Sequence, residues 1–176
     1  MAVIRKISPV GIDRNVDEVQ TLLEELNWVD FNIYHRIYKE NISGGVKPMR
    51  YTSDGDYEDV FMNDTINGNC FFYDTGSINE TNGMFQDVEL LIIFQINLDN
   101  LFSSIAHRAD EEAHNEVILK LRELPPTYKI KGVVKEIKKV YAEFDTTRVL
   151  LDDVGKFHVF RVDLTCLVDY ACCSNC

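Results

Sequence analysis

The stretch Phe85–Leu98 constrains this chain more than any other. Val88, Leu90, Ile92, Phe94, Ile96 and Leu98 alternate with Glu89, Leu91, Ile93, Gln95 and Asn97. A period of two is the period of a strand. Leu91 and Ile93 also make the second face apolar in its middle, so the strand needs cover on both sides and is predicted to be central in its sheet.

The last third, Thr127–Asp169, supplies the other strong pattern. Val133, Val134, Ile137, Val140, Tyr141 and Phe144 recur at helical spacing, and predict a helix over Gly132–Phe144 with Lys135, Glu136, Lys138 and Lys139 outward. This helix is expected to run into Thr147–Leu151, with a turn at Asp152–Lys156. A strictly alternating strand follows. Phe157, Val159, Arg161, Asp163, Thr165 and Leu167 lie on one face, and His158, Phe160, Val162, Leu164, Cys166 and Val168 on the other. A helix feeding a closing hairpin predicts a helix-on-sheet domain.

The remaining elements follow from the same signals. Asn15–Asn27 reads as a helix with Asn15 as N-cap, Asp17 and Glu18 at its positive end, and a stripe of Val16, Val19, Leu22, Leu23 and Leu26. Asp30–Tyr38 alternates Phe31, Ile33, His35 and Ile37 against Asn32, Tyr34, Arg36 and Tyr38, as a strand does. After a break at Asn41–Gly45, residues 44–84 read as a loop-rich meander with short strands near Val46–Thr52, Tyr57–Met62 and Cys70–Asp74, and a turn at Gly76–Gly83. A second long helix is predicted over Ala109–Leu124. It is ended by Pro125 and Pro126, which cannot continue it. The expected fold is one α+β domain over 1–176, a mostly antiparallel sheet with about three helices on one face. The other face is left for partners or a second sheet layer. Residues 170–176 are expected to form a flexible, cysteine-containing tail.

Charge bounds the function. With 29 acidic and 18 basic residues the net charge is −11, which weighs against nucleic acid as the main ligand, because phosphate binding needs clustered Lys and Arg. Met1–Pro9 is too short and too mixed for a signal peptide, and the longest apolar run, Leu90–Phe94, is far below a membrane span. A cytosolic site of synthesis and use is expected, with no membrane partner. Five cysteines without a secretory signal argue against a disulfide framework.

Each candidate for chemistry meets a plainer reading. His107, Glu111 and His114 share a helical face, but the two histidines stand about 10 Å apart in rise, whereas helical zinc pairs sit four residues apart. A solvated polar face is expected. Cys172, Cys173 and Cys176 form a CCxxC tail, and a four-ligand zinc site would need Cys166 or another chain to supply the fourth. Cys166, however, belongs to an apolar strand row, and a frayed end with free thiols is expected. Asp54, Asp56, Glu58 and Asp59 make an acidic loop, yet the glycine and glutamate positions of a calcium loop hold Asp59 and Thr65. The sequons at Asn41, Asn63 and Asn79 are chance matches in a cytosolic chain. Trp28 is expected in the core. His35, His107, His114 and His158 are too scattered to assemble an acid–base pair. No phosphate loop, dinucleotide fingerprint or nucleophile elbow occurs. Catalytic, cofactor-binding and metal residues are therefore expected to be none. Tyr51, Tyr57, Phe61, Phe71, Phe72 and Tyr73 read equally as interface material or as core.

Three stretches together carry a resemblance. They are the helix Val16–Leu26 with its following strand, the strand Val88–Leu98 followed by RADEEAHNEVILKLREL, and VVKEIKKVYAEF leading through TTRVLLDD to KFHVFRVDLTCLVDY. Their order resembles that of the tail-terminator and neck-ring proteins of tailed bacteriophages. The meander is longer than that family's minimal pattern. The resemblance implies a non-enzymatic virion protein without cofactor. It would form a homo-oligomeric ring around a DNA channel, as tail terminator or head–tail connector, beside neck, portal or tail proteins. A small metal-binding enzyme using His107, Glu111 and His114 or the cysteine tail is an alternative, and so is a soluble acidic adaptor or inhibitor.

Overall fold

The structure is a computed structural model that describes residues 4–26, 31–52, 56–61, 65–80, 85–102, 109–146 and 156–169. In chain order the elements are α1 (Ile12–Leu23), β1 (Phe31–Arg36), β2 (Tyr38–Ile42), β3 (Gly45–Tyr51), β4 (Tyr57–Asp59), β5 (Gly68–Glu80), β6 (Phe85–Asn97), α2 (Leu98–Leu101), α3 (Asp110–Leu121), β7 (Tyr128–Val134), α4 (Ile137–Val140) and β8 (Phe157–Asp169). Five strands form one sheet in the order β1-β5-β6-β8-β7, and β2, β3 and β4 form a second. All pairings are antiparallel except that of β1 with β5. A parallel pair needs a long crossover, and here the crossover itself carries the smaller sheet.

The expected central strand is β6, flanked on both sides by β5 and β8. Its two faces part as the sequence demands. Val88, Leu90, Ile92, Phe94 and Ile96 enter a core with Val16, Val19 and Leu23 of α1 and Ala113, Val117 and Leu121 of α3. Leu91 and Ile93 enter a second core with Tyr34, Ile37, Val60, Val140, Tyr141 and Phe144. The helices thus cover one face, and the crossover and α4 cover the other. In the first core the Phe94 ring stacks on Phe160 at 4.9 Å and on Phe31 at 6.4 Å, tying β1, β6 and β8 across the sheet. Gly68 opens β5 at φ 152°, and a Cβ there would stand 2.6 Å from the Gln95 carbonyl oxygen. Only glycine fits this close approach of β5 to β6. No helix of the described residues is long and apolar enough to cross a membrane.

Four expectations need correction. Gly132–Phe144 is not a helix: Tyr128–Val134 is the edge strand β7, and only Ile137–Val140 is helical. Val133 and Val134 are β-branched, and pairing with Val162 and Arg161 of β8 outweighs the helical spacing. Consequently the third helix on that face is the short α2, whose Leu98 and Leu101 pack on the core beneath α1 and α3, and the short α4 lies on the other face. Asn15 is not a cap. The helix starts at Ile12 behind Gly11, whose φ of 57° suits glycine, while the Asn15 amide donates to the Tyr128 hydroxyl and the Leu167 carbonyl. Asp30–Tyr38 is not one strand. It breaks at Ile37, whose N–H donates to the Phe72 carbonyl, and β2 continues in the other sheet. Finally, the meander divides: β5 belongs to the large sheet and runs on to Glu80. Thr147–Leu151, the turn before β8, Trp28 and the 170–176 tail lie outside the described residues.

The stacked Phe94 ring gives a direct test. Phe94→Ala removes a fully buried ring at the centre of the larger core. It is expected to cost ~3–5 kcal/mol in urea unfolding, whereas Leu119→Ala on the exposed side of α3 should leave stability nearly unchanged.

Candidate functional site

The seam between the N-terminal segment, β1 and the smaller sheet holds a cavity of about 360 Å³. Ligand pockets are commonly ~300–1,000 Å³. Six pieces of the chain converge on it. Arg5 and Lys6 come from the segment before α1, Asp13 from the first turn of α1, and Tyr34, His35, Arg36 and Tyr38 from β1 and the start of β2. Arg50, Tyr51 and Tyr57 come from β3 and β4. The break at Ile37 makes this possible, because it turns the chain from one sheet into the other across the mouth of the cavity.

Charge in the cavity is organised by Asp13. Its carboxylate is 2% exposed. Arg36 Nε donates to it at 2.9 Å, and Lys6 Nζ bonds its other oxygen. Burial alone would raise the carboxyl, but the bonds from Arg36 and Lys6 outweigh it and hold Asp13 below the usual carboxylate range. A second Arg36 bond reaches Asp74 at 2.9 Å. The Arg50 guanidinium lies over the Tyr34 ring, 4.6 Å from its centroid, and pairs with Glu58. Arg5 pairs with Asp17 at 2.5 Å and with Glu24. His35 Nε2 is buried 3.8 Å from Asp13, beyond hydrogen-bond reach, and has no hydrogen-bond partner among the described residues. Burial lowers the pKa of this imidazole, against the pull of Asp13.

The rim is aromatic. Tyr57 meets Tyr38 and Tyr51, each at 5.5 Å between centroids, and all three rings are about half exposed. An exposed aromatic trio beside a set of guanidinium and ammonium groups can bind flat, anionic chemistry, by stacking and by forked N–H donation. A smaller cavity of about 160 Å³ shares Tyr34 and Arg50 and ends on Asn69, whose Oδ1 is buried without a hydrogen-bond partner among the described residues.

The other sequence candidates are not brought together. Glu111 pairs with Lys135 at 2.6 Å in solvent, and the His114 ring lies against Phe160 at 5.3 Å. His107 lies outside the described residues, among which no group of three or more His, Cys, Asp or Glu side chains could hold a metal ion. Cys166 is buried and donates to the Val88 carbonyl at 3.7 Å, with its thiol pushed up to about 12 by burial. Cys70 is buried too, while Cys172, Cys173 and Cys176 lie outside the described residues. Of the acidic loop, Glu58 and Asp59 pair with Arg50 and Lys47, and Asp54 is not described. The aromatic set splits. Phe71, Phe72 and Tyr73 are core, Phe61 packs on Tyr141, and Tyr51 and Tyr57 are rim.

Sequence reasoning missed the cavity. Its one legible trace is the alternation Tyr34, Arg36, Tyr38, whose three side chains do share it. No family model, curated protein or solved structure matches the chain.

A partly buried histidine outside the cavity sets an acid limit. Burial pushes His158, which packs on Phe160 at 5.0 Å, down to about 4 from an ordinary 6.5. Between these values the unfolded chain binds the proton and the native chain does not. Its contribution to stability is thus complete above pH 6.5 and is lost as pH falls toward 4. Urea midpoints should drop between pH 7 and pH 4.5, and His158→Gln should remove part of that drop. An identical drop in the variant would assign the effect elsewhere.

Proposed function

We propose that this chain is a virion structural protein of a tailed bacteriophage. In this reading it is a subunit of a homo-oligomeric ring at the neck or tail junction, a tail terminator or head–tail connector, and it works by assembly rather than by catalysis. The observation that carries the reading is the layer order. A helix and an edge strand lead to a long central strand, a second long helix and a closing strand, with both long helices on one face of the sheet. Helices on one side of a sheet are what the resemblance implies, while its third stretch, VVKEIKKVYAEF, departs from it as the end of β7 and the short α4.

Two further features support it. The net charge of −11 suits a channel wall, since a like-charged surface lets DNA pass without adhering. On the outside of the helical layer, Leu119 of α3 is 61% exposed, and Ile7, ahead of α1, is 92% exposed. A ring closes through two different surfaces on each subunit, and apolar side chains standing in water at the helices suit one of them.

Purified protein at high concentration is expected to form rings in electron microscopy and mass photometry. Leu119→Asp combined with Ile7→Asp should weaken assembly at least tenfold, about 1.4 kcal/mol, without lowering the melting temperature. A chain that stays monomeric at every concentration and is absent from purified particles would sink the reading.

A further inference from the structure

We infer that the cavity between the N-terminal segment and the smaller sheet is a binding site for a nucleoside phosphate, with the ring held among the tyrosines and the phosphate among Arg36, Arg50 and Lys6. This site is independent of the assembly reading. The cavity is lined by Arg5, Lys6, Arg36 and Arg50 and by one carboxylate, Asp13, and the same cations also pair with Asp17, Glu24, Asp74 and Glu58 around it. Such convergence of cations from separate segments serves an anion. Arginine favours phosphate in particular, because its fork donates in parallel.

Two of these cations are held in place. Asp13 is buried, lines the same cavity and binds Lys6 and Arg36. That bond fixes the two cations in place before any ligand arrives, which lowers the ordering cost of binding. Arg50 differs. Its carboxylate partner Glu58 has a side chain 56% exposed, and an exposed pair of this kind contributes little. A ligand phosphate can therefore displace Glu58 without leaving a buried charge unpaired.

The rim adds a stacking surface. Tyr38, Tyr51 and Tyr57 form a cluster of half-exposed rings, and flat heterocycles stack on such rings regardless of their identity. Inside, His35 Nε2 is a buried polar atom with no hydrogen-bond partner among the described residues, which a ligand hydroxyl can satisfy. The cavity holds about 360 Å³, and the net charge of the chain is −11. Both facts favour a mononucleotide over a nucleic acid strand, which needs a basic track beyond one site.

Isothermal titration calorimetry on the full chain tests this with adenosine monophosphate and triphosphate, adenosine, inorganic phosphate and a short oligothymidylate. The nucleotides are expected to bind, with adenosine and phosphate at least tenfold weaker, and affinity should fall as salt rises. Arg50→Gln and Tyr57→Ala should each weaken nucleotide binding at least tenfold. Glu58→Gln should strengthen it, a gain that no loss of folding can mimic. The inference is overturned if no nucleotide binds at millimolar concentration. It is equally overturned if Glu58→Gln leaves affinity unchanged, or if the oligothymidylate binds more tightly than either nucleotide.

Discussion

Everything in this molecule depends on the two-sided burial of β6. A strand with Leu90, Ile92 and Phe94 on one face and Leu91 and Ile93 on the other cannot sit on a half-exposed sheet, because each face would leave a row of large apolar side chains in water. One cover is local in design: α1 and α3 lay amphipathic faces over the first side. The second cover has to come from elsewhere. The crossover from β1 to β5 provides it, carrying Ile37, Val60 and the smaller sheet across the opposite face, and α4 with Tyr141 and Phe144 completes it. The buried amide of Gln95 follows this rule in part: its Nε2 donates to the Tyr141 hydroxyl at 2.5 Å, while its Oε1 has no hydrogen-bond partner among the described residues.

The cavity is a by-product of that second cover. Where β1 stops at Arg36 and β2 starts at Tyr38, the chain leaves one sheet for the other, and two layers joined by a single residue cannot close against each other without a seam. Apolar residues fill the deep end of the seam. Its mouth lies beside the start of α1, where Asp13 suits the positive end of the helix and draws in Lys6 and Arg36.

Legibility in the sequence tracked how far each pattern depended on tertiary pairing. The strands β6 and β8 alternate over thirteen residues each, and the helix α3 is closed off by two prolines, so their identities and faces were readable from local chemistry. Residues 132–144 were not. Val133, Val134, Ile137, Val140 and Phe144 satisfy a helical stripe, but β7 has β8 to pair with, and ladder bonds to Val162 and Arg161 decided the matter. The break at Ile37 was hidden for a similar reason. Alternation runs through it unbroken, and only the Phe72 carbonyl that receives its N–H reveals where the first sheet ends. The cavity was least readable. Arg5, Asp13, Arg36 and Arg50 belong to no spacing motif and meet only because the crossover folds back.

That origin explains why charge and function part company here. Net charge describes the surface a distant polyanion meets, and at −11 it repels one. A group already inside the seam meets a different field. Its neighbours are guanidinium and ammonium groups paired with Asp13, Asp74 and Glu58, and at that range the near charges count for more than the screened remainder. The exposed carboxylates that balance those cations, Glu58 above all, stand toward solvent, where exchange for another anion costs little. Asp13, sealed beneath them, cannot be exchanged. The two readings proposed, DNA passing along the surface and a small phosphate held at one seam, are compatible because they are governed by charges at different distances.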